Sequence, residues 1–276
     1  MAMKQKEIKL NNFIISNNHP FILIGGPCVI ESEEHTLLMA EKILRITQEL
    51  GIPFVFKSSF DKANRSSIES FRGPGIDEGL RILQRVKKEI KVPTISDIHN
   101  ESHVAKAVKI LDIIQIPALL SRQTDLITNV AKNDIIINVK KGQFMAPWDM
   151  KEVVNKIESQ GNSKILLTER GTSFGYNNLI SDMRSLVIMK HFGYPVIFDA
   201  THSVQLPGGL GCASGGESEF IPYLSKAAIA IGIAGLFLEI HDNPKEAKCD
   251  GPNSLDIRLL SETLIKIKKI DSIIKE

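Results

Sequence analysis

The chain has 276 residues, of which 43% are hydrophobic and 24% are charged. This is the composition of an ordinary globular protein with a sizeable core. Its 34 Lys and Arg residues nearly balance its 32 Asp and Glu residues, which gives a formal net charge of +2. That balance argues against nucleic-acid partners and a polybasic membrane anchor, so any anion has to be bound by locally placed cations.

The N-terminus and the cysteines indicate the compartment. No long apolar stretch follows residues 1–7, which argues against a signal peptide. No apolar run approaches the ~18 residues that a membrane span needs. The cysteines Cys28, Cys212 and Cys249 are odd in number and widely separated, which favours a reducing cytoplasm over a disulfide framework. Without a twin-cysteine motif, a metal site has to be assembled from distant residues.

The first predicted element is a β-hairpin in residues 7–17, which turns at Asn11 and Asn12. It belongs to an N-terminal extension of residues 1–20. We expect this extension to cover the N-terminal mouth of the structure that follows.

Short apolar runs then alternate with helix-like segments along the rest of the chain. These runs are apolar on both faces, which is typical of buried parallel strands. The eight predicted strands are Phe21–Gly25, Phe54–Lys57, Thr94–Asp97, Ile113–Ile116, Ile135–Val139, Ile165–Thr168, Val196–Asp199 and Leu236–Glu239.

The segments between the strands have helical periodicity. In the first, Leu37, Ala40 and Leu44 share one face, and Ser32 is placed as the N-cap. Eight strand–helix repeats in about 250 residues predict an α/β fold of the (β/α)8 TIM-barrel type. We predict that residues 1–276 form a single domain, with a doubly wound open sheet as the structural alternative.

In such a barrel, functional side chains follow the carboxyl ends of the strands. Five cations at one mouth of a nearly neutral protein predict a ligand set with two phosphates, or with a phosphate and a carboxylate. Any one of them alone would as readily be a solvated surface charge. The five are Lys57, Lys62, Arg65, Lys140 and Arg170.

A thiol, an imidazole and two carboxylates follow strands one, seven and eight, which are neighbours once the barrel closes. Such donors bind Zn²⁺, Fe²⁺ or Mn²⁺. Taken alone, Cys28 is more often a small buried hydrophobic residue, and His202 could cap a strand. The predicted metal ligands are Cys28, His202, Glu239 and Asp250, and the catalytic candidates are His202, Asp97, Lys62 and Asp250.

A glycine-rich stretch covers residues 207–216. It follows His202 and does not open a helix directly from a strand, which argues against a dinucleotide-binding fingerprint. We interpret it as a mobile loop that closes over the site.

Several blocks between Ile24 and Asn253 resemble the 3-deoxy-D-manno-octulosonate 8-phosphate synthases. The blocks are Gly26–Ser32, Lys57–Ser67, Ser70–Gly75, Gln115–Ala118, Arg122–Leu126, Asn138–Lys141, Arg170–Asn178 and Phe198–Gln205. The resemblance implies the condensation of phosphoenolpyruvate with D-arabinose 5-phosphate and water for lipopolysaccharide biosynthesis. It also implies a cytoplasmic homotetramer.

The resemblance implies roles for individual residues. Those that would hold phosphoenolpyruvate are Lys57, Lys62, Gln115, Lys140 and Arg170. Those that would hold the aldose and its phosphate are Asn64, Arg65 and Ser66, and Gln205 is a further substrate-binding candidate. Arg122 is similar to a residue that reaches the sugar-phosphate site of a neighbouring subunit.

Different parts of the chain resemble the metal-dependent and the metal-free branches of this family. Cys28, His202, Glu239 and Asp250 match the ligands of the metal-dependent branch, whereas the metal-free branch has asparagine in place of Cys28. Residues 247–252 resemble the metal-free branch instead. We predict a divalent metal (Zn, Fe or Mn) on the strength of Cys28, because a thiolate is a much better ligand than an amide. How strictly activity needs the metal stays open.

Three other functions stay open. The related synthase that uses erythrose 4-phosphate typically reads Lys-Pro-Arg-Thr after the second strand, whereas Lys62–Ser67 here favours the five-carbon sugar. A Schiff-base aldolase would use Lys57, Lys62 or Lys140 as its amine. A non-catalytic phosphate-binding barrel is the third alternative.

Overall fold

The structure is a computed structural model that describes residues 4–65, 67–208 and 215–276. It begins with the predicted hairpin, in which β1 (Ile8–Leu10) pairs antiparallel with β2 (Phe13–Ile15). Asn11 turns the chain at a φ of 50°, in the left-handed region that asparagine adopts more readily than most residues.

Parallel strands form a closed barrel. The barrel strands in the described residues are β3 (Ile22–Gly26), β4 (Phe54–Lys57), β5 (Thr94–Asp97), β6 (Ile113–Ile116), β7 (Ile136–Lys140), β8 (Ile165–Glu169), β9 (Val196–Asp199) and β10 (Gly235–His241). Neighbours in sequence pair from β3 to β9, and β10 pairs with both β9 and β3. The predicted (β/α)8 barrel is therefore confirmed, and the open sheet is wrong.

Helices follow the strands around the outside of the barrel. The α-helices in the described residues are α1 (Glu33–Glu49), α2 (Ile76–Arg85), α3 (Val104–Ala107), α4 (Thr124–Ala131), α5 (Met150–Glu158), α6 (Arg184–Lys190), α7 (Ile221–Ile229) and α8 (Leu260–Lys275). The Ser32 side chain accepts a hydrogen bond from the His35 N–H and caps α1 as predicted. Across the described ranges, no helix is both long and apolar enough to cross a membrane.

Short elements decorate this frame. A π-helical turn, Val86–Ile90, continues α2. The 3₁₀ turns are Glu101–His103, Ala118–Leu120, Pro147–Asp149, His202–Val204, Ser218–Phe220, Gly251–Asn253 and Ile257–Leu259. Short strands are Thr172–Ser173 with Leu179–Ile180, Gln205–Leu206 with Gly215–Gly216, and Leu255–Asp256 beside β10.

The two faces of the barrel strands build two apolar layers, because successive residues of a strand point to opposite sides. Leu23 and Phe54 belong to the layer that includes the helices. Ile24 and Val55 belong to the inner layer, which also contains Ile15 of the hairpin. The hairpin thus packs against the inner layer at the start of the barrel strands, as expected from the sequence.

Candidate functional site

Polar side chains replace apolar ones inside the barrel towards the carboxyl ends of the strands. Val55 belongs to the inner apolar layer, and Lys57 lies two residues further along β4. Ile197 and Asp199 have the same relation on β9. Because residues two apart face the same side of a strand, several strands deliver a polar group above the apolar floor. These buried groups are Lys57, Asp97, Gln115, Lys140, Asp199 and Glu239.

A pocket at this end of the barrel gathers most of the predicted substrate-binding residues. Its polar lining consists of Lys57, Lys62, Asn64, Asp97, Gln115, Lys140, Gln143, Arg170 and His202, and its apolar lining of Pro117, Ala118 and Leu119. Four of the five predicted cations therefore share one pocket.

Asp199 lies between a lysine and a histidine. Lys140 Nζ donates a hydrogen bond to Asp199 Oδ2 at 2.5 Å, and His202 Nδ1 lies 2.7 Å from the same oxygen. Burial raises the pKa of the Asp199 carboxyl, but the charges of His202 and Lys140 outweigh it and hold this pKa well below its ordinary value. The ionised carboxylate orients the imidazole and leaves His202 Nε2 for the opposite side of the site.

Lys140 is buried above an aromatic ring. Its Nζ lies 3.6 Å from the centroid of the Phe237 ring, a distance at which a cation is attracted by the ring face. Burial lowers the pKa of Lys140 below its ordinary value, more than the Asp199 carboxylate raises it.

Glu239 lies near two lysines. Its Oε1 is 3.5 Å from Lys57 Nζ and 3.6 Å from Lys62 Nζ. The residue is completely buried, and its Oε2 has no hydrogen-bond partner among the described residues. Burial raises the pKa of Glu239, but the charges of His202 and Lys62 lower this pKa by more, so the net shift is downward. Glu239 therefore presents an ionised carboxylate with one oxygen free for a further cation.

A hydrogen-bonded chain connects Lys57 to His99. Lys57 Nζ donates to Ser59 Oγ at 2.9 Å, and Ser59 Oγ donates to Asp97 Oδ1 at 2.5 Å. The Nε2 atom of His99 lies 2.9 Å from Asp97 Oδ2. Burial raises the pKa of Asp97, but the hydrogen bond from His99 and the Lys57 charge bring it well below its ordinary value. This chain can carry a proton between the pocket and His99.

Arg170 enters the pocket just after β8. Its Nη2 donates to Gln205 Oε1 at 3.0 Å, and Gln205 Nε2 donates to Asp250 Oδ1 at 3.2 Å. Arg170 Nη1 is buried and has no hydrogen-bond partner in the described part of the chain. Because a buried donor without a partner costs roughly 1–3 kcal/mol, this atom is well placed for an oxygen of a ligand.

Arg65 and Arg122 lie outside the described lining of this pocket. Arg65 Nε and Nη2 donate to the carbonyl oxygens of Phe71 and Lys248, at 3.2 and 3.1 Å. Arg122 is exposed and lies just beyond the Ala118–Leu120 turn. Ser66 and most of the predicted mobile loop lie outside the described residues.

The four predicted metal ligands meet around Asp250. His202 Nε2 lies 3.5 Å from Glu239 Oε1 and 3.8 Å from Asp250 Oδ2, and Cys28 Sγ lies 3.2 Å from Asp250 Oδ2. A thiol, an imidazole and two carboxylates, one with an unpartnered oxygen, fit a divalent transition-metal ion.

Asp250 has a left-handed backbone conformation. Its φ is 49°, in the left-handed region, which costs a non-glycine residue roughly 1–3 kcal/mol and often marks functional sites. Burial raises the pKa of its carboxyl, but Lys62 and His202 bring that pKa down to about 2. Asp250 is therefore a carboxylate throughout the neutral range.

Sequence reasoning missed Gln143 in the pocket lining and three further residues of this site. Asp199 ends β9 as Asp97 ends β5, so the strand-end position could have identified it. Ser59 gave no signal beyond its place after β4. Cys249 contacts Cys28 across 221 residues of sequence, and no local pattern reports such a contact.

The profile of the DAHP synthetase I family matches residues 3–276. The chain belongs to the DAHP synthetase I family. Every described residue of the pocket and of the metal-donor group lies within the part that matches this family.

Relatives named 2-dehydro-3-deoxyphosphooctonate aldolase are similar over nearly the whole chain. The protein of Geobacter metallireducens is 57% identical over 270 residues, 98% of this chain and 99% of that one. Those of Francisella tularensis subsp. holarctica and Rickettsia typhi are each 56% identical, over 97% and 99% of this chain and 98% and 99% of theirs. This name denotes the synthases that the sequence blocks resemble, so the predicted resemblance is confirmed.

Proposed function

We propose that the chain condenses phosphoenolpyruvate with D-arabinose 5-phosphate and water. The products are 3-deoxy-D-manno-octulosonate 8-phosphate, used for lipopolysaccharide biosynthesis, and phosphate. The observation that carries this proposal is the pocket of Lys57, Lys62, Lys140 and Arg170 beside the metal-donor group. The names of the relatives support the five-carbon sugar phosphate over erythrose 4-phosphate.

The charge balance of the site supports an anionic substrate. The buried cations are Lys57, Lys62, Lys140 and Arg170, and the carboxylates around them are Asp97, Asp199, Glu239 and Asp250. A divalent ion on Glu239 and Asp250 would neutralise the negative charge of these two carboxylates. The positive charge of the lysines and the arginine would then be unbalanced in a buried site, which is costly. The phosphate and carboxylate of phosphoenolpyruvate would balance this charge.

The condensation joins two carbon atoms of opposite polarity. The methylene carbon of phosphoenolpyruvate attacks the aldehyde of the open-chain sugar, and negative charge develops on the aldehyde oxygen. Water adds at the enol carbon, and phosphate leaves with cleavage of its C–O bond. Lys140, Arg170 and Gln115 hold the phosphate and carboxylate in place while this charge moves.

Proton transfer and metal binding complete the roles that we assign. Asp97 and His99 exchange a proton with the pocket through their hydrogen bond. Cys28, His202, Glu239 and Asp250 would hold the divalent ion, which would polarise an oxygen of a reactant at that place.

Phosphate release tests this function. Purified protein would receive phosphoenolpyruvate with each of a panel of aldose phosphates, with and without a chelator. We expect fast release with arabinose 5-phosphate and loss of that activity after chelation. Full activity after chelation would contradict a metal requirement, and no release with any aldose would contradict the function. A lysine adduct trapped by borohydride would support the Schiff-base mechanism instead.

We also propose that the protein is a cytoplasmic homotetramer whose residues 1–276 act as one domain. The free thiols of Cys28 and Cys249 support a reducing compartment.

An apolar groove of about 580 Å³ has the partly exposed Phe144, Trp148 and Phe174 in its lining, which supports burial against another subunit. Light scattering should give four times the chain mass for the wild type and a smaller mass for Trp148→Glu. A monomeric wild type would contradict the assembly.

A further inference from the structure

Two buried thiols meet at the metal-donor group. Cys28 Sγ lies 2.6 Å from Cys249 Sγ and 3.2 Å from Asp250 Oδ2. The two cysteines are 3% and 4% exposed, and neither forms a disulfide. Cys28, Cys249 and Asp250 place three donor atoms within 4.8 Å of one another. The donor atoms of His202, Glu239 and Asp250 also lie within 4.8 Å of one another, so the two groups share Asp250.

The loop that carries Cys249 is held against the loop that carries Cys28. Glu31, three residues after Cys28, accepts a hydrogen bond from the Lys248 N–H at 2.8 Å. The same Oε1 lies 3.3 Å from His241 Nε2 at the end of β10. A Cβ atom on Gly251 would lie 2.3 Å from the Pro244 carbonyl oxygen, so the loop closes tightly just after Asp250. Cys249 is therefore positioned next to Cys28 by its own loop contacts.

The chemistry of these donors points to a cation. Once the thiols have lost their protons, two thiolates and a carboxylate in a buried place repel one another unless a metal ion lies between them. The unpartnered and buried Oε2 of Glu239 is an independent sign that this group lacks a partner. Two thiolates bound to one Zn²⁺ lie roughly 3.3–4.0 Å apart, given Zn–S bonds of about 2.3 Å. The sulfur atoms would move apart by about 1 Å, which would also relieve their present crowding.

We propose that Cys249 is a further ligand of the metal site, so that the bound ion contacts two thiolates, Cys28 and Cys249. This inference rests on the proposed metal site and extends its ligand set. Because thiolates select soft and borderline ions, the second one shifts the preference of the site towards Zn²⁺ and Cd²⁺ and away from Mn²⁺.

Absorbance of Co²⁺-loaded protein tests the ligand directly, because cobalt–thiolate charge transfer absorbs in the near ultraviolet in proportion to the number of bound thiolates. The background is Cys212→Ser, which removes the remaining cysteine of the chain. Cys249→Ser and Cys28→Ser in this background should each lose about half of the absorbance, as expected if each thiolate contributes equally. Cys249→Ala should match Cys249→Ser, and melting curves identify any variant that fails to fold.

Alkylation gives a second measurement that does not depend on activity. Peptide mapping after iodoacetamide treatment should show both Cys28 and Cys249 protected when Zn²⁺ is bound, and both modified after chelation under mild denaturant. Full cobalt–thiolate absorbance in Cys249→Ser, or no such absorbance in the wild-type protein, would overturn the inference. The condensation is assayed separately by phosphate release, so failure of the ligand assignment is distinguishable from failure of the proposed function.

Discussion

At the scale of single residues, Asp199 shows how one buried carboxylate holds a lysine and a histidine in place. Its Oδ2 accepts a hydrogen bond from Lys140 Nζ and faces His202 Nδ1. Its Oδ1 accepts a hydrogen bond from the backbone N–H of His202 at 2.9 Å. Carboxylates that orient a metal-binding histidine in this way fix which ring nitrogen is free for the metal. The geometry of His202 therefore depends on a residue that touches neither substrate in our proposal.

Asp199→Asn should lower kcat by about 10- to 100-fold, the usual cost of losing such a carboxylate, and should lower the bound metal with it. The amide keeps the size of the side chain but cannot neutralise Lys140. Steady-state kinetics and metal analysis of the purified variant measure both effects. Asp77→Asn is the control, because Asp77 lies on the surface and pairs with the exposed Lys106. Equal kcat for wild type and Asp199→Asn would contradict the assigned role.

Arg65→Ala should raise the Michaelis constant for arabinose 5-phosphate far more than that for phosphoenolpyruvate. Among the described residues, Arg65 donates to carbonyl oxygens and to no carboxylate, so its charge can serve a phosphate. Arg72→Ala is the matched control, since Arg72 is already paired with Asp61. Equal increases in both Michaelis constants would remove Arg65 from the sugar-phosphate site.

At the scale of elements, an ion-pair cluster joins the first two helices. Glu33 in the first turn of α1 accepts hydrogen bonds from Arg81 and Arg85, at 2.6–2.9 Å. These hydrogen bonds lower the pKa of Glu33 from 4.5 to about 2. The cluster thus stabilises the contact between α1 and α2, although solvent screens it.

A lowered pKa gives this contribution a defined pH window. Stability from Glu33 is fully present above pH 4.5 and is lost as the pH falls towards about 2, because the unfolded chain binds the proton first. Urea unfolding at a series of pH values should show wild type and Glu33→Gln converging between these limits. Glu34→Gln changes a neighbouring exposed residue and should keep the acid response of the wild type. Parallel curves for wild type and Glu33→Gln would contradict the prediction.

The sequence predicted the helices and strands better than it predicted the contacts within the site. Buried parallel strands depend on runs such as Ile113–Ile116 that are apolar on both faces, and the cap of α1 depends on Ser32 alone. Both are local signals. The contacts of the site are not local, since Lys140 reaches Asp199 across 59 residues. Strand ends therefore indicated which residues reach the mouth, whereas their pairing needed the closed barrel.

At the scale of the whole molecule, the barrel has an apolar floor at one end and a charged mouth at the other. Ile15 of the hairpin is fully buried and belongs to the inner layer that includes Phe237, above which Lys140 lies. The floor supports the buried charges without contributing polar groups. Stability and chemistry are thereby assigned to opposite ends of the same strands.

Ile15→Ala should destabilise the protein by about 2–5 kcal/mol, the range for such a cavity in a core, and should leave both Michaelis constants unchanged. Ile14→Ala is the matched control, because Ile14 lies on the other face of β2 and is 36% exposed; it should cost about 0.5 kcal/mol or less. Denaturant unfolding and steady-state kinetics measure the two effects. A change in the Michaelis constants without loss of stability would contradict the separation of floor and mouth.

The central claim is that this mouth joins phosphoenolpyruvate to a five-carbon sugar phosphate. Mass spectrometry of the products tests it most directly, with phosphoenolpyruvate and equal concentrations of arabinose 5-phosphate and erythrose 4-phosphate in one reaction. We predict that the eight-carbon sugar acid phosphate predominates and that its formation matches the phosphate released. A predominant seven-carbon product, or no condensation product of either sugar, would contradict the claim.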